Sequence, residues 1–241
     1  MHLRTTWSTI RVLIWTGAAL FPLLSTATLF AQPATASATQ PDGDPRLGLA
    51  AFYDAVRAGD EAKAFACWYD DVQSDDRRTE VEELVRHLVK EMIASARFED
   101  ALRQKFPADY DKARREGHMT PEAPLLTSCR YAVYRRLAIC SWGQDEDDGF
   151  PLVLDNSGIF EKRPAVWKLS MQQWHETNQS SVGDSMLLSG LGARAKDLTT
   201  KDVLAGKFKN ADEIELGFLQ HMHELEEADE KASSAATKPV N

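Results

Sequence analysis

The sequence predicts an α+β protein: N-terminal helices and one long helix packed on a small curved antiparallel sheet, with a C-terminal helical extension. Three observations predict it. Between Thr79 and Phe106, apolar residues recur at a steady 3-4 spacing. Between Thr127 and Met171, short apolar runs alternate with polar turns. The clearest pair, Phe150–Asp155 and Ala165–Met171, flanks Asn156-Ser157-Gly158, which is hairpin punctuation. A sheet this small is marginal in water, so helices have to cover its apolar face.

The chain opens with Arg4 and Arg11, a mainly apolar run from Val12 to Phe30, and the small residues Ala34-Thr35-Ala36-Ser37-Ala38. That is the layout of a secretory signal peptide over residues 1–38. An uncleaved membrane anchor is the competing reading, because the run is long for a signal. Pro22, Ser25, Thr26 and Thr28 interrupt it and favour cleavage. The expectation is an exported protein, periplasmic or extracellular, that meets membrane only if this segment is kept. A polar linker, residues 39–43, follows.

Asp44 is placed to N-cap a helix with Pro45 at its first position, and Leu49, Phe52, Tyr53 and Val56 share one face up to about Ala58. Gly59 ends that helix. Asp60 caps a second one, expected to carry Phe65, Trp68 and Tyr69. Thr79 with Glu82 makes a capping box at the mouth of the long helix or just inside it. Its stripe is Val81, Leu84, Val85, Leu88, Val89, Met92 and Ala96, extended by Leu102 and Phe106, with Pro107 at its end. His87 reads as a surface or boundary residue. A short polar helix over 108–116 and a loop over 117–124 lead into the sheet.

With Tyr134–Arg136 as a three-residue loop, Cys129, Tyr131, Val133, Leu137, Ile139 and Ser141 share one apolar face. Arg130, Ala132, Ala138 and Cys140 take the other, which separates the two cysteines and leaves them unbridged. A two-residue loop would set them opposite each other but mixes Arg136 into the apolar face. After an acidic turn, Gln144–Gly149, comes the second hairpin. If the long helix covers this sheet, Leu84, Leu88 and Met92 meet Tyr131, Leu137, Ile139 and Trp167. Gln172–Asp184 reads as loop, and Met186, Leu187, Leu188 and Leu191 as a short apolar turn or helix interrupted by Gly190 and Gly192. Asn210 with Glu213 starts a last helix lined by Ile214, Phe218, Met222 and Leu225. The predicted organisation is an α+β cone-like domain over 44–171, a loop and helical extension over 172–231, and a disordered tail over 232–241.

The chain has 28 basic and 37 acidic side chains, a formal charge of −9. That balance argues against nucleic-acid binding, which needs a basic face. Gly183-Asp184-Ser185-Met186 resembles the nucleophile block of secreted esterases, but Phe218 and Gln220 stand three residues before His221 and His223, where an acidic partner is needed. His223 and Glu227 have the spacing of a metal edge without a third ligand nearby. The run Asp145–Gly149 resembles a calcium loop, yet aligned on Gly149 its twelfth position is Asp155 instead of glutamate. No catalytic residue, metal or cofactor is therefore predicted. Trp68, Tyr131 and Trp167, with Tyr53 and Trp142, are the candidates to wall a ligand cavity; the same residues would equally fill a core.

Two helices joined at Gly59-Asp60, a long helix, and hairpins closing on Pro151-Leu152-Val153-Leu154 and Val166-Trp167-Lys168-Leu169 resemble the nuclear transport factor two-like superfamily, which includes ketosteroid isomerase and polyketide cyclase relatives. The phrase Ala51–Asp60 is similar to the opening helix of many exported bacterial members, and Ala205–Glu213 to the tail of secreted proteins of that kind. The resemblance implies a curved antiparallel sheet wrapped around a helix, making a cone with a pocket. It carries over no catalytic carboxylate, because no position here matches one. The leading expectation is a non-enzymatic binding or interaction domain of the bacterial cell envelope, taking a small apolar ligand or a protein partner. One alternative is a small-molecule isomerase or hydrolase with Asp155 or Asp54 as base in the cone; another is a structural envelope protein without a ligand.

Overall fold

The computed structural model describes residues 43–115, 129–141, 149–157, 165–178 and 190–236. The signal-like segment, the loop over 117–124, Trp142, Gln144–Asp148 and the Gly183–Met186 block lie outside the described residues. Within them, seven helices and one open five-stranded sheet bear out the mixed α and β class.

Helix α1, Pro45–Arg57, starts where its cap predicts: the Asp44 carboxylate accepts from the Arg46 amide at 2.9 Å. Gly59 takes φ 69°, the left-handed turn that glycine enters without a Cβ penalty. Asp60 then caps α2, Glu61–Ala66, by accepting from Lys63 N–H at 3.0 Å. The second helix stops short of Trp68 and Tyr69, contrary to expectation. These two residues form β1, which runs parallel to β5 with Trp68 beside Leu169. The Leu169 amide donates to the Cys67 carbonyl at 2.9 Å, so the sheet takes over the backbone where the short helix ends.

The other strands are β2 Arg130–Tyr134, β3 Leu137–Ser141, β4 Gly149–Asp155 and β5 Val166–Ser170. They pair antiparallel, as predicted, and the order is β1-β5-β4-β3-β2. The register of the first hairpin differs by one from the expected one. Tyr134 pairs with Leu137 across a two-residue Arg135-Arg136 loop, and Tyr131 lies opposite Cys140. Arg135 accepts φ 57°, and Arg136 turns away to β4, its guanidinium donating to the Leu154 carbonyl at 2.6 Å. A one-residue slip exchanges faces. Ala138 and Cys140 are fully buried, while Leu137 is half-buried and Ile139 is 41% exposed. Cys129, Tyr131, Ala138 and Cys140 therefore share a face, which corrects the separation of the two cysteines.

That core face carries a row through all five strands: Val133, Ala138, Leu152, Leu169 and Trp68. Helix α1 lies across it. Phe52 and Tyr53 meet Trp68 and Phe150 edge-on, at centroid distances of 5.8 and 6.1 Å. Gly48 approaches so closely that a Cβ there would stand 2.2 Å from the Trp167 carbonyl oxygen. Tyr131 and Trp167 face α1, whereas Leu137 and Ile139 face the opposite way, so the four cannot form one surface for Leu84, Leu88 and Met92.

The long helix α3, Asp75–Lys105, begins one turn before the Thr79–Glu82 pair and stops just before Pro107, the first residue of α4, Pro107–Arg115. Of the predicted stripe, Val81, Leu84, Val85, Val89, Met92, Ala96 and Leu102 are buried, and Leu88 only half so. Three C-terminal expectations change. Gln172 onward is not loop but helix α5, Met171–Asn178, held at its start by Asp71 and Ser170, which accept from the Gln172 and Gln173 amides at 2.9 and 3.0 Å. Gly192 interrupts nothing, because it lies inside α6, Leu191–Leu204. Helix α7, Ala211–Ala236, runs past Ala232, where a disordered tail was expected. Its start is as predicted, with Asn210 accepting from the Glu213 amide and Glu213 from Lys209 N–H.

Two compact units make up the described chain. One holds α1, α2, the sheet, α5 and α3 up to Val89. The other holds α3 from Lys90, α4, α6 and α7, around Phe98, Ala101, Leu102, Tyr110, Val203 and Ile214.

Candidate functional site

The sheet does not bring the three predicted ligand-wall residues together. Trp68 lies on one edge strand and Tyr131 on the other, with Trp167 on β5 between them. Trp68 is packed edge-on between Phe52 and Trp174, each 5.8 Å away. Trp167 donates its indole N–H to the Gly43 carbonyl at 3.2 Å, and Tyr131 lies under the Arg46 guanidinium at 5.0 Å. These are the contacts of core aromatic residues.

The two carboxylates considered as bases are differently placed. Asp54 is exposed on α1. Asp155 is buried at the end of β4, 3.2 Å from Lys168 Nζ, and accepts from the Ser157 amide at 2.9 Å. Burial is the largest single influence on its carboxyl and acts to raise the pKa. Hydrogen bonds from Ser157 and the Lys168 ammonium outweigh it, so the pKa falls below the ordinary value. Asp155 is thus a committed anion and a poor proton acceptor.

The two histidines of α7 separate as their spacing implies. His221 Nε2 lies 3.1 Å from Asp202 Oδ2, and His223 pairs with Glu227 at 3.2 Å on an exposed face. Among the described residues no group of three or more His, Cys, Asp or Glu could hold a metal ion.

A different place has the features of a binding site. The segment entering α3 and the helix α5 enclose a cleft of about 250 Å³, lined by Val72, Gln73, Ser74, Arg77, Val81, Gln172 and His175. Val72 and Val81 make a buried apolar floor, 3% and 1% exposed. The Gln73 amide donates to Gln172 Oε1 at 3.4 Å and ties one wall to the other. Gln73, Ser74 and Arg77 are exposed at the rim.

Two side chains distinguish it. Arg78 is consumed by its neighbours, with Asp70 and Asp75 at 3.1 and 3.0 Å and the Val72 carbonyl at 3.1 Å. Arg77, one residue earlier, makes no side-chain hydrogen bond or ion pair among the described residues. His175 is only 8% exposed, and its imidazole likewise has no partner among them. Guanidinium, imidazole N–H and the Ser74 hydroxyl together offer donors above an apolar floor, a donor set that suits a carboxylate on a small apolar body.

The sequence held little trace of this site. Asp75-Asp76-Arg77-Arg78 reads as a solvated polar run, and His175 falls in a segment read as loop. The contacts that place α5 beside it, such as the Ser170 hydroxyl donating to Asp71 Oδ2 at 2.6 Å, join residues 99 apart and leave no local signal. The chain matches no protein-family model, no curated protein and no solved structure.

Proposed function

We propose that the chain is an exported binding domain of the cell envelope that takes a small carboxylate ligand in the Arg77–His175 cleft. His175 carries this reading: it is nine-tenths buried, has no hydrogen-bond partner among the described residues, and lines the same cleft as Arg77, whose guanidinium has no ion pair among them. A carboxylate in the cleft would accept from the His175 ring N–H and from the Arg77 guanidinium. The exposed rim favours binding over chemistry that must exclude water. Val72 and Val81 supply the apolar contact that a small organic acid needs beyond its charge. The order of helix pair, long helix and hairpins supports kinship with the nuclear transport factor two-like superfamily, whose members carry pockets. Residues 1–38 support export.

Calorimetric titration of the full chain with succinate, benzoate and inorganic phosphate tests the site. Binding of at least one carboxylate is expected, with affinity lowered about tenfold or more in Arg77→Gln, equivalent to about 1.4 kcal/mol. Unchanged affinity in that variant, or no binding of any of the three, overturns the reading. Mass spectrometry of the protein from its native host is expected to find an N-terminus between Ala34 and Thr39; an intact N-terminus in the membrane fraction overturns export by cleavage.

A further inference from the structure

We propose that the outer face of the sheet, at the end carrying the Arg135-Arg136 loop, docks on an anionic bilayer surface. Strand alternation turns this face away from α1. One row on it runs Tyr134, Leu137, Val153 and Lys168, the next Ala132, Ile139 and Pro151, and Val166 stands beside Asp155. Tyr134 is 63%, Val166 46% and Ile139 41% exposed, with Leu137 and Val153 half-buried between them. Pro151 and Ser170, farther from the loop, are buried, so the open part of the face is its end at the loop. Apolar side chains scattered singly over a surface need no explanation, but these five occupy neighbouring positions on one face.

Charge identifies the partner. The chain as a whole is −9, yet the five strands and the Arg135-Arg136 loop carry Arg130, Arg135, Arg136 and Lys168, with Asp155 as their one acid. Asp155 is buried and pairs with Lys168, so it presents no negative charge to a partner. Arg136 is turned to the Leu154 carbonyl. Arg130 and Arg135 are exposed at the rim. Arg135 lies over the Tyr134 ring, 5.4 Å from its centroid, so a guanidinium and a phenol are presented together. That pair suits a bilayer boundary: the guanidinium meets headgroup phosphates, and the ring and the aliphatic side chains behind it enter the layer beneath them. The same face of a second copy would bring arginines against arginines, which disfavours a symmetric dimer here.

Hydroxyl-radical footprinting of the full chain tests this at the face itself. Oxidation of Tyr134 and Ile139 is read by peptide mass spectrometry, alone and with vesicles of phosphatidylcholine or of phosphatidylcholine with phosphatidylglycerol. Both residues are expected to be protected by the phosphatidylglycerol vesicles and much less by phosphatidylcholine alone. In the double variant Arg130→Gln, Arg135→Gln, the lipid concentration for half protection is expected to rise about tenfold or more. That variant keeps the apolar run Val12–Phe30, so its loss of protection belongs to the sheet, and an unchanged urea midpoint shows that it is folded. No protection by either vesicle overturns the proposal, and so does protection that the double variant retains. Protection that grows with protein concentration in the absence of vesicles overturns it in favour of a second copy. Poly-glutamate shielding the face as well as the vesicles do overturns it in favour of an acidic protein.

Discussion

Lys196 carries its ammonium into a site 4% exposed, 2.5 Å from Glu91 Oε1 and 2.9 Å from Ser95 Oγ. Removing one partner of such a pair leaves the other charge buried and uncompensated, which costs about 3–5 kcal/mol, whereas replacing both by apolar groups is often neutral. Lys196→Met is therefore expected to lower urea stability by roughly that amount, and Lys196→Met with Glu91→Leu to restore most of it. Equal losses in the single and double variants would show that the pair's packing matters and its charge does not. Asp155 gives a pH prediction with a definite sign. Its folded pKa is depressed, so the stability it contributes is complete above the unfolded value of 3.8 and is lost as pH falls through the lower folded value. The stability gap between the protein and Asp155→Asn is expected to narrow as pH falls from 5 to 2; a constant gap would mean that the Ser157 and Lys168 contacts do not favour its charged form. Asp155 stood out in the sequence as an isolated carboxylate, but its Lys168 partner did not, and the Lys196 site was not legible at all. A lysine within a helical stripe reads as its polar edge, and the partner that changes its meaning, Glu91, lies 105 residues away.

At the scale of elements, the seam between α1 and the sheet makes the sharpest demand on sequence. Helix propensity alone says that Gly48→Ala stabilises α1 by up to about 1 kcal/mol. The Cβ, however, would stand 2.2 Å from a backbone oxygen that cannot swing away, so the helix has to lift from the strand. The expected net effect is a loss of about 1–3 kcal/mol in thermal or urea unfolding, the usual cost of overpacking; a gain would show that α1 does not press on β5. On α3, Leu84→Ala is expected to cost about 2–5 kcal/mol, and Leu88→Ala less than Leu84→Ala, because Leu84 is fully buried and Leu88 half-buried. Caps and periodic stripes made α1, α3 and α7 readable to within a few residues. The hairpin register was not readable in the same way. It is set by two arginines, one tolerating positive φ and one reaching the Leu154 carbonyl, and local alternation does not contain that information. Helices α5 and α6 escaped for a related reason: α5 is started by Asp71, just past the neighbouring strand β1 but 101 residues away in sequence, and α6 buries Lys196, Thr199 and Thr200 where a stripe should be apolar.

The whole molecule is legible in class because the periods of its segments differ, about 3.6 in the helices and 2 in the strands, and those periods need no long-range information. Its division into two compact units is not, because α3 runs unbroken from Asp75 to Lys105 and contributes to both. Each unit has its own buried set. Leu152, Leu169 and Trp68 belong to the sheet unit, and Phe98, Leu102, Val203 and Ile214 to the helical unit. Units with separate cores open separately, with free energies below that of global unfolding. Val203 is fully buried, so Val203→Ala weakens the helical core without touching the sheet's row of side chains. Native-state hydrogen exchange is expected to show lowered protection in α6, the first half of α7 and α3 after Lys90, while amides of β3, β4 and β5 keep theirs. Leu152→Ala is expected to give the reverse pattern. If either variant lowers protection evenly across both sets, the chain unfolds as one cooperative body, and the continuous α3 helix couples the two cores more strongly than their separate packing would predict.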